Sequence, residues 1–134
     1  MRSIAALVTT FYQDLWNRWD DALVEDVLSP GFEFRGSLGE VTTGRQGWRA
    51  YRDRVRAGAP DFHNEIVELL VDDDRAAAHL RCSGTHAGTM LGVPASNRHF
   101  SYAGAAFFAA ADGRLVRAWV LGDLHGLLPQ LRGG

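Results

Sequence analysis

The sequence predicts an α+β domain in which a curved, cone-shaped antiparallel sheet and N-terminal helices enclose a pocket. Helical periodicity is confined to the first half of the chain, and a meander of long strand-like segments fills the second. That order favours helices laid on one face of an antiparallel sheet over an alternating, doubly wound arrangement. No repeat, linker or low-complexity tract divides the 134 residues, so one domain spanning 1–134 is expected.

Ile4, Leu7, Val8, Phe11, Leu15 and Trp19 recur at helical spacing and give residues 3–18 one apolar face. Asp20 or Asp21 can cap a short second helix, which Ser29-Pro30-Gly31 stops. Phe32 and Phe34 mark a short strand, and the Gly- and Thr-rich stretch 36–44 reads as a loop or loose hairpin. Thr43 can cap a third helix over 45–57, with Trp48, Tyr51 and Val55 on its apolar face and Gly58 and Pro60 at its end. Four strands follow, over 62–71, 75–86, 98–110 and 115–121. They are broken by Asp72-Asp73-Asp74, by a loop over 87–97 and by Asp112-Gly113, a two-residue hairpin signal. A short helix from Leu124 closes the chain. The space between a curling sheet and the long first helix is the natural ligand site.

Hydrophobic residues make up 46% and charged residues 22%, the balance of a globular protein able to bury a core. A net charge of −2 gives no electrostatic reason to expect nucleic acid or an anionic membrane as partner. No apolar run approaches a membrane span, and the segment 4–8 is too short for a signal-peptide core, so a cytoplasmic protein is expected. All fourteen basic residues are arginine, which removes lysine Schiff-base and phosphate-loop chemistry. The single cysteine, Cys82, excludes an intrachain disulfide and reads as a small buried hydrophobe. The five histidines show no metal-binding spacing, and no nucleophile elbow or glycine-rich nucleotide loop is present, so neither metal nor cofactor is expected. Arg45, Arg49, Arg52 and Arg56 line one helix face and read as solvated.

Two stretches carry a family resemblance. Gly84-Thr85-His86-Ala87-Gly88 is followed by Leu91-Gly92-Val93-Pro94-Ala95-Ser96-Asn97-Arg98-His99-Phe100. The tail runs Asp112-Gly113-Arg114-Leu115-Val116, then Trp119, then Asp123-Leu124-His125-Gly126-Leu127-Leu128-Pro129-Gln130-Leu131. Together they resemble the SnoaL-like polyketide cyclase family, and the helices and the Pro30 turn fall in the family's order. The resemblance implies the nuclear-transport-factor-like cone fold, shared with ketosteroid isomerase and limonene epoxide hydrolase. It further implies cofactor-free chemistry on polyketide or terpenoid intermediates of bacterial secondary metabolism.

In the aldol-type cyclases of that family, an aspartate on the last strand acts as acid/base, helped by a histidine on the strand before it. Those positions fall here on Val120 and Ala106, and a third pocket-polar position falls near Phe34. All three are apolar, and a carbon acid needs a placed base. The remaining polar candidates are His86 as acid/base, Asp123 as its orienting carboxylate and Tyr102 as donor to an oxyanion. Asp123 also suits a helix N-cap, and His86 also suits a buried structural histidine. Phe34, Ala106, Phe108 and Val120 are expected as the pocket's deep wall, and Trp16, Tyr51 and Trp119 as further wall residues. Arg98 and His99 stand at the mouth, where they could bind a carboxylate or phenolate, or simply be solvated.

The function expected is a cofactor-independent tailoring enzyme, of cyclase, isomerase or hydratase type, acting on an aromatic polyketide or similar apolar intermediate. A homologue that assists hydroxylation and a non-catalytic small-molecule binder are the alternatives. A homodimer formed through the sheet, with Phe107 in the interface, is expected.

Overall fold

A computed structural model describes residues 2–133. Helix α1 (Ile4–Thr10) starts at Ser3, whose hydroxyl accepts the Ala6 amide at 3.1 Å. Its second half departs from the expected α-helix: Phe11–Trp16 is π-helical, and the Asn17 amide donates to the Tyr12 carbonyl at 2.9 Å. The wider turn lets Phe11, Tyr12, Leu15 and Trp16 all face inward. Asp20 caps a 3-10 turn over Asp21–Leu23, and helix α2 (Val24–Val27) follows.

Strand β1 (Leu28–Arg35) begins earlier than the sequence suggests, because Ser29-Pro30-Gly31 does not end the strand-forming region. Those residues sit in a bulge where the pairing with the last strand slips, between Leu28↔Leu115 and Glu33↔Arg117. Proline is tolerated there because the ladder is interrupted. The stretch read as a loop contains strand β2 (Val41–Thr43), which forms a hairpin with β1. Helix α3 (Gly44–Gly58) packs on both. Strands β3 (His63–Asp72), β4 (Arg75–Thr85), β5 (His99–Ala111) and β6 (Arg114–Gly122) form the predicted meander. Asp112 and Gly113 both take positive φ, the turn conformation that suits a tight hairpin.

The six strands order as β2-β1-β6-β5-β4-β3. The sheet is not wholly antiparallel as expected: β1 and β6 run parallel. The chain leaves β1 through β2 and α3 and returns from the far edge of the sheet, so β6 arrives beside β1 in the same direction. Helix α4 (Leu124–Arg132) closes the chain against β5. Gln130 clasps the Ser101 backbone from both sides, accepting its amide at 3.0 Å and donating to its carbonyl at 2.8 Å. The glutamine of the tail motif is thereby explained as a strand-like partner for β5.

The inner face of the sheet, α1 with its π-helical extension and α3 share one core. Phe11 is its hub, with ring centroids of Tyr12, Phe32, Phe34, Trp48 and Phe108 between 5.0 and 6.2 Å away. One arginine of the supposedly solvated face is buried instead. Arg52 is 2% exposed, with its guanidinium 4.5 Å from the Trp19 ring centroid and 5.0 Å from that of Trp48, and it donates to Asp21 at 2.8 Å. A planar guanidinium can stack on indoles and still reach a carboxylate, so helical spacing alone misplaces it. No described helix is long and apolar enough to cross a membrane.

Candidate functional site

A narrow cavity of about 300 Å³, counted to its mouth, opens between the π-helical turn, α3 and the inner face of the sheet. Its closed interior has room for about one water molecule. The π-helical turn supplies Tyr12 and Trp16, and α3 supplies Tyr51 and Val55. Strands contribute Phe34, Asn64, Leu80, Cys82 and Val120, with Phe62 just before β3 and Ser37 just after β1.

Register explains how the polar lining arises. Asn64 on β3 lies opposite Cys82 on β4, and Cys82 lies opposite Tyr102 on β5. The three form a row across the inner face. The Cys82 thiol donates to Asn64 Oδ1 at 3.4 Å. The Tyr102 and Ser37 hydroxyls are 2.8 Å apart, so Tyr102 meets the cavity through Ser37. The Tyr51 hydroxyl accepts the Leu38 amide at 3.2 Å and holds the 36–40 turn over the site. Gly36 permits this, since a Cβ there would lie 2.0 Å from the Tyr51 ring.

The titratable groups that line the cavity, Tyr12, Tyr51 and Cys82, are held neutral, as is Tyr102 behind Ser37. Burial drives the Cys82 thiol and the Tyr51 hydroxyl up to about 12 each, and it raises Tyr12 and Tyr102 well above the usual phenol value. Among the described residues, no carboxylate, imidazole or guanidinium lines the cavity. The site can therefore offer neutral hydrogen bonds in an apolar enclosure, but it contains no group that is a base at neutral pH. Among the described residues, no cluster of three His, Cys, Asp or Glu side chains is placed to hold a metal ion.

Trp16, Phe34, Tyr51 and Val120, named from the sequence, line the cavity. Ala106 and Val120 lie directly opposite each other on β5 and β6, so the two family acid/base positions are neighbours, and both are buried and apolar. Ala106 and Phe108 do not form the expected deep wall. Phe11 and Tyr12 fill the volume in front of Phe108, with ring centroids 6.0 Å from it. Trp119 is on the outer face, 43% exposed, with the Arg35 guanidinium 5.7 Å from its ring centroid. It adjoins Val120 on one strand, and alternation sends the two to opposite faces. Arg98 and His99 are exposed and away from the cavity, and the Arg98 guanidinium lies against Gly133.

The expected His86–Asp123 pair does not form. His86 is fully buried, with Nδ1 2.9 Å from Ser96 Oγ and Nε2 3.0 Å from the Val93 carbonyl. A carbonyl only accepts, so Nε2 donates to Val93, and Nδ1 is paired with the Ser96 hydroxyl. The His86 backbone accepts the Ser96 and Asn97 amides as well. This residue organises the 87–97 loop. Asp123 caps α4, accepting the Gly126 amide at 3.0 Å. Gly88 completes the motif: its amide donates to the Gly58 carbonyl, and a Cβ there would lie 2.2 Å from the Ala57 carbonyl oxygen. The GTHAG segment thus fastens the end of α3 to β4.

Tyr12, Asn64 and Cys82 were not singled out as site residues from sequence. Tyr12 hides within an apolar helical stripe. The available signal for Asn64 is its phase on β3, where it shares the inward side with Ile66.

The profile of the SnoaL-like polyketide cyclase family matches residues 6–131. No curated protein matches the sequence. Among solved structures, the chain is 30% identical to TsrD from Streptomyces laurentii, with a TM-score of 0.83 over 96% of this chain and 93% of that one. It is 24% identical to IdmH from Streptomyces antibioticus, a candidate polyketide cyclase, with a TM-score of 0.82 over 96% and 97%. It is 21% identical to AclR from Streptomyces galilaeus, a candidate hydroxylase, with a TM-score of 0.75 over 98% and 93%. The last two likenesses speak for the cone fold. With its fold, motifs and near full-length profile match in agreement, the chain belongs to the SnoaL-like polyketide cyclase family.

Proposed function

We propose that this protein binds a small, flat, largely apolar polyketide intermediate in the cavity, whose narrow interior widens to admit it, and promotes its ring closure or isomerisation without a resident cofactor. The observation that carries the reading is an aromatic-walled cavity whose polar groups are all neutral hydroxyl, amide and thiol groups. Such a site lacks a base, so the substrate must supply its own reactive enol, as a poly-β-ketone does. Carbon–carbon bond formation from that enol places charge on the attacked carbonyl oxygen, and the enol proton ends on that oxygen. Preset donors stabilise the developing charge, and the walls hold the reacting carbons together. Tyr51 and the Ser37–Tyr102 pair are the donors nearest the 36–40 turn. His86 and Asp123 act structurally in this reading.

A probe of suitable chemistry is 1-phenylhexane-1,3,5-trione, whose cyclisation is followed by absorbance and chromatography. Acceleration over buffer, reduced about tenfold or more in Tyr51→Phe, is the expected result. Absence of both binding and acceleration contradicts the reading. The lack of any resident base favours, as a second reading, a non-catalytic binder, which would hold the triketone tightly without product. Assistance to hydroxylation predicts a product that forms in air and not under argon.

The outer sheet face supports a homodimer. Phe107 is 50% exposed and lies opposite Trp119 in register, and Ala105 faces the exposed Leu121 beside them. A contiguous apolar face of this kind is suited to a second copy of the chain.

A further inference from the structure

Two polar atoms on the cavity have no hydrogen-bond partner: the Tyr12 hydroxyl and the Asn64 side-chain nitrogen. Tyr12 is 3% exposed and Asn64 6% exposed. Buried polar groups of this kind are ordinarily paired, because an unmade hydrogen bond costs its full desolvation. Their neighbours are already committed. Asn64 Oδ1 takes the Cys82 thiol, and both backbone groups of Asn64 are held by the Asn17 side chain at 2.8 Å. The Asn64 amide is thus fixed in place with its nitrogen free, and it lines the same cavity as Tyr12.

We infer that Tyr12 and Asn64 form the oxygen-binding end of the cavity and that the ligand presents a ketone-type carbonyl to them. The inference rests on the cavity being the ligand site. An amide nitrogen only donates, and a neutral phenol donates readily, so the pair matches an acceptor that carries no hydrogen of its own. A carboxylate is disfavoured, because no cation lines the cavity and an unpaired buried charge is costly. Apolar contacts from Trp16, Phe34 and Val120 suit the flat hydrocarbon behind the carbonyl. A site built to bond an oxygen discriminates strongly against an analogue that lacks it, since two buried donors are then left unpaired.

The test uses the full chain and three small probes of one shape: 1-tetralone, tetralin and tetralin-1-carboxylate. Binding is read by calorimetry and by tryptophan emission, since Trp16 is at the site. The expected order is tetralone tighter than tetralin by roughly ten- to a hundredfold, with the carboxylate weakest. Tyr12→Phe and Asn64→Leu should each lower tetralone affinity severalfold and leave tetralin unchanged. Tyr12→Phe should melt no lower than the parent, because its hydroxyl has no partner to lose, which keeps the test free of misfolding. Equal affinity for tetralone and tetralin means the pair serves an enclosed water only and overturns the carbonyl assignment alone. Unchanged discrimination in both variants overturns it too. Binding of none of the probes overturns the cavity as ligand site, and the assignment with it.

Discussion

Replacing His86 by alanine separates a structural histidine from a catalytic one. The imidazole makes two hydrogen bonds, to Ser96 Oγ at 2.9 Å and to the Val93 carbonyl at 3.0 Å, at a site with no solvent exposure. Each bond contributes about 1 kcal/mol, and the void left by the ring adds about 1–2 kcal/mol. The sum is about 3–4 kcal/mol, a large share of the stability of a domain this size and equivalent to a fall in Tm of roughly 10 °C. The loss should concentrate in residues 87–97, where the imidazole holds Ser96 Oγ and the Val93 carbonyl. Calorimetric melting and hydrogen exchange measure both effects. Below its new Tm the variant should still bind 1-tetralone with near-parental affinity, because His86 does not line the cavity. A variant with unchanged Tm and abolished triketone cyclisation would refute the reasoning and restore His86 as the acid/base.

Other perturbations follow from the same geometry. Gly88→Ala drives a methyl group to 2.2 Å from the Ala57 carbonyl oxygen and should cost about 3 kcal/mol or more, read by denaturant unfolding; an unchanged midpoint contradicts the fastening role of the motif. Alkaline pH should unfold the protein cooperatively. The Cys82 thiol and the Tyr12, Tyr51 and Tyr102 phenols have folded values raised above their ordinary 9 and 10, so their stabilisation is complete below about pH 9 and is lost as pH rises towards 12. Each group ionised in the unfolded state removes about 1.4 kcal/mol per pH unit, and native phenolate absorption near pH 10 from these residues would contradict it. If the outer sheet face forms the proposed homodimer, Phe107→Glu, which places a charge there, should give a monomer in sedimentation where the parent is a dimer, with no change in tetralone binding; a parent that is already a monomer contradicts the dimer.

Much of the fold is written in periodicity. The four late strands, α3 and the Asp112-Gly113 turn are found within a residue or two of their expected bounds, because alternation and turn chemistry are local signals. The π-helical turn is invisible at that level, since Phe11, Leu15 and Trp19 satisfy α-helical spacing and only the inward packing of Tyr12 and Trp16 shows the wider turn. The parallel pairing of β1 with β6 is equally hidden, being set by where a distant strand returns. At the site, Phe34, Tyr51 and Val120 were legible as inward-facing residues on recognised elements. His86 was legible as part of a motif, but the motif does not show that both ring nitrogens face the 87–97 loop. Arg52 has a sequence environment like that of Arg49, and only Trp19, itself at positive φ, reveals that it is enclosed. The Tyr12 hydroxyl and the Asn64 nitrogen stand out only by their unpaired state at the cavity, which no sequence pattern shows.

The most direct test is a crystal structure of the protein grown with 1-tetralone. The ring is expected in a widened cavity between Trp16, Phe34 and Val120, with its carbonyl oxygen within hydrogen-bonding distance of the Tyr12 hydroxyl and the Asn64 side-chain nitrogen. A tetralone found against His86 and Asp123, with the cavity unchanged, would contradict it.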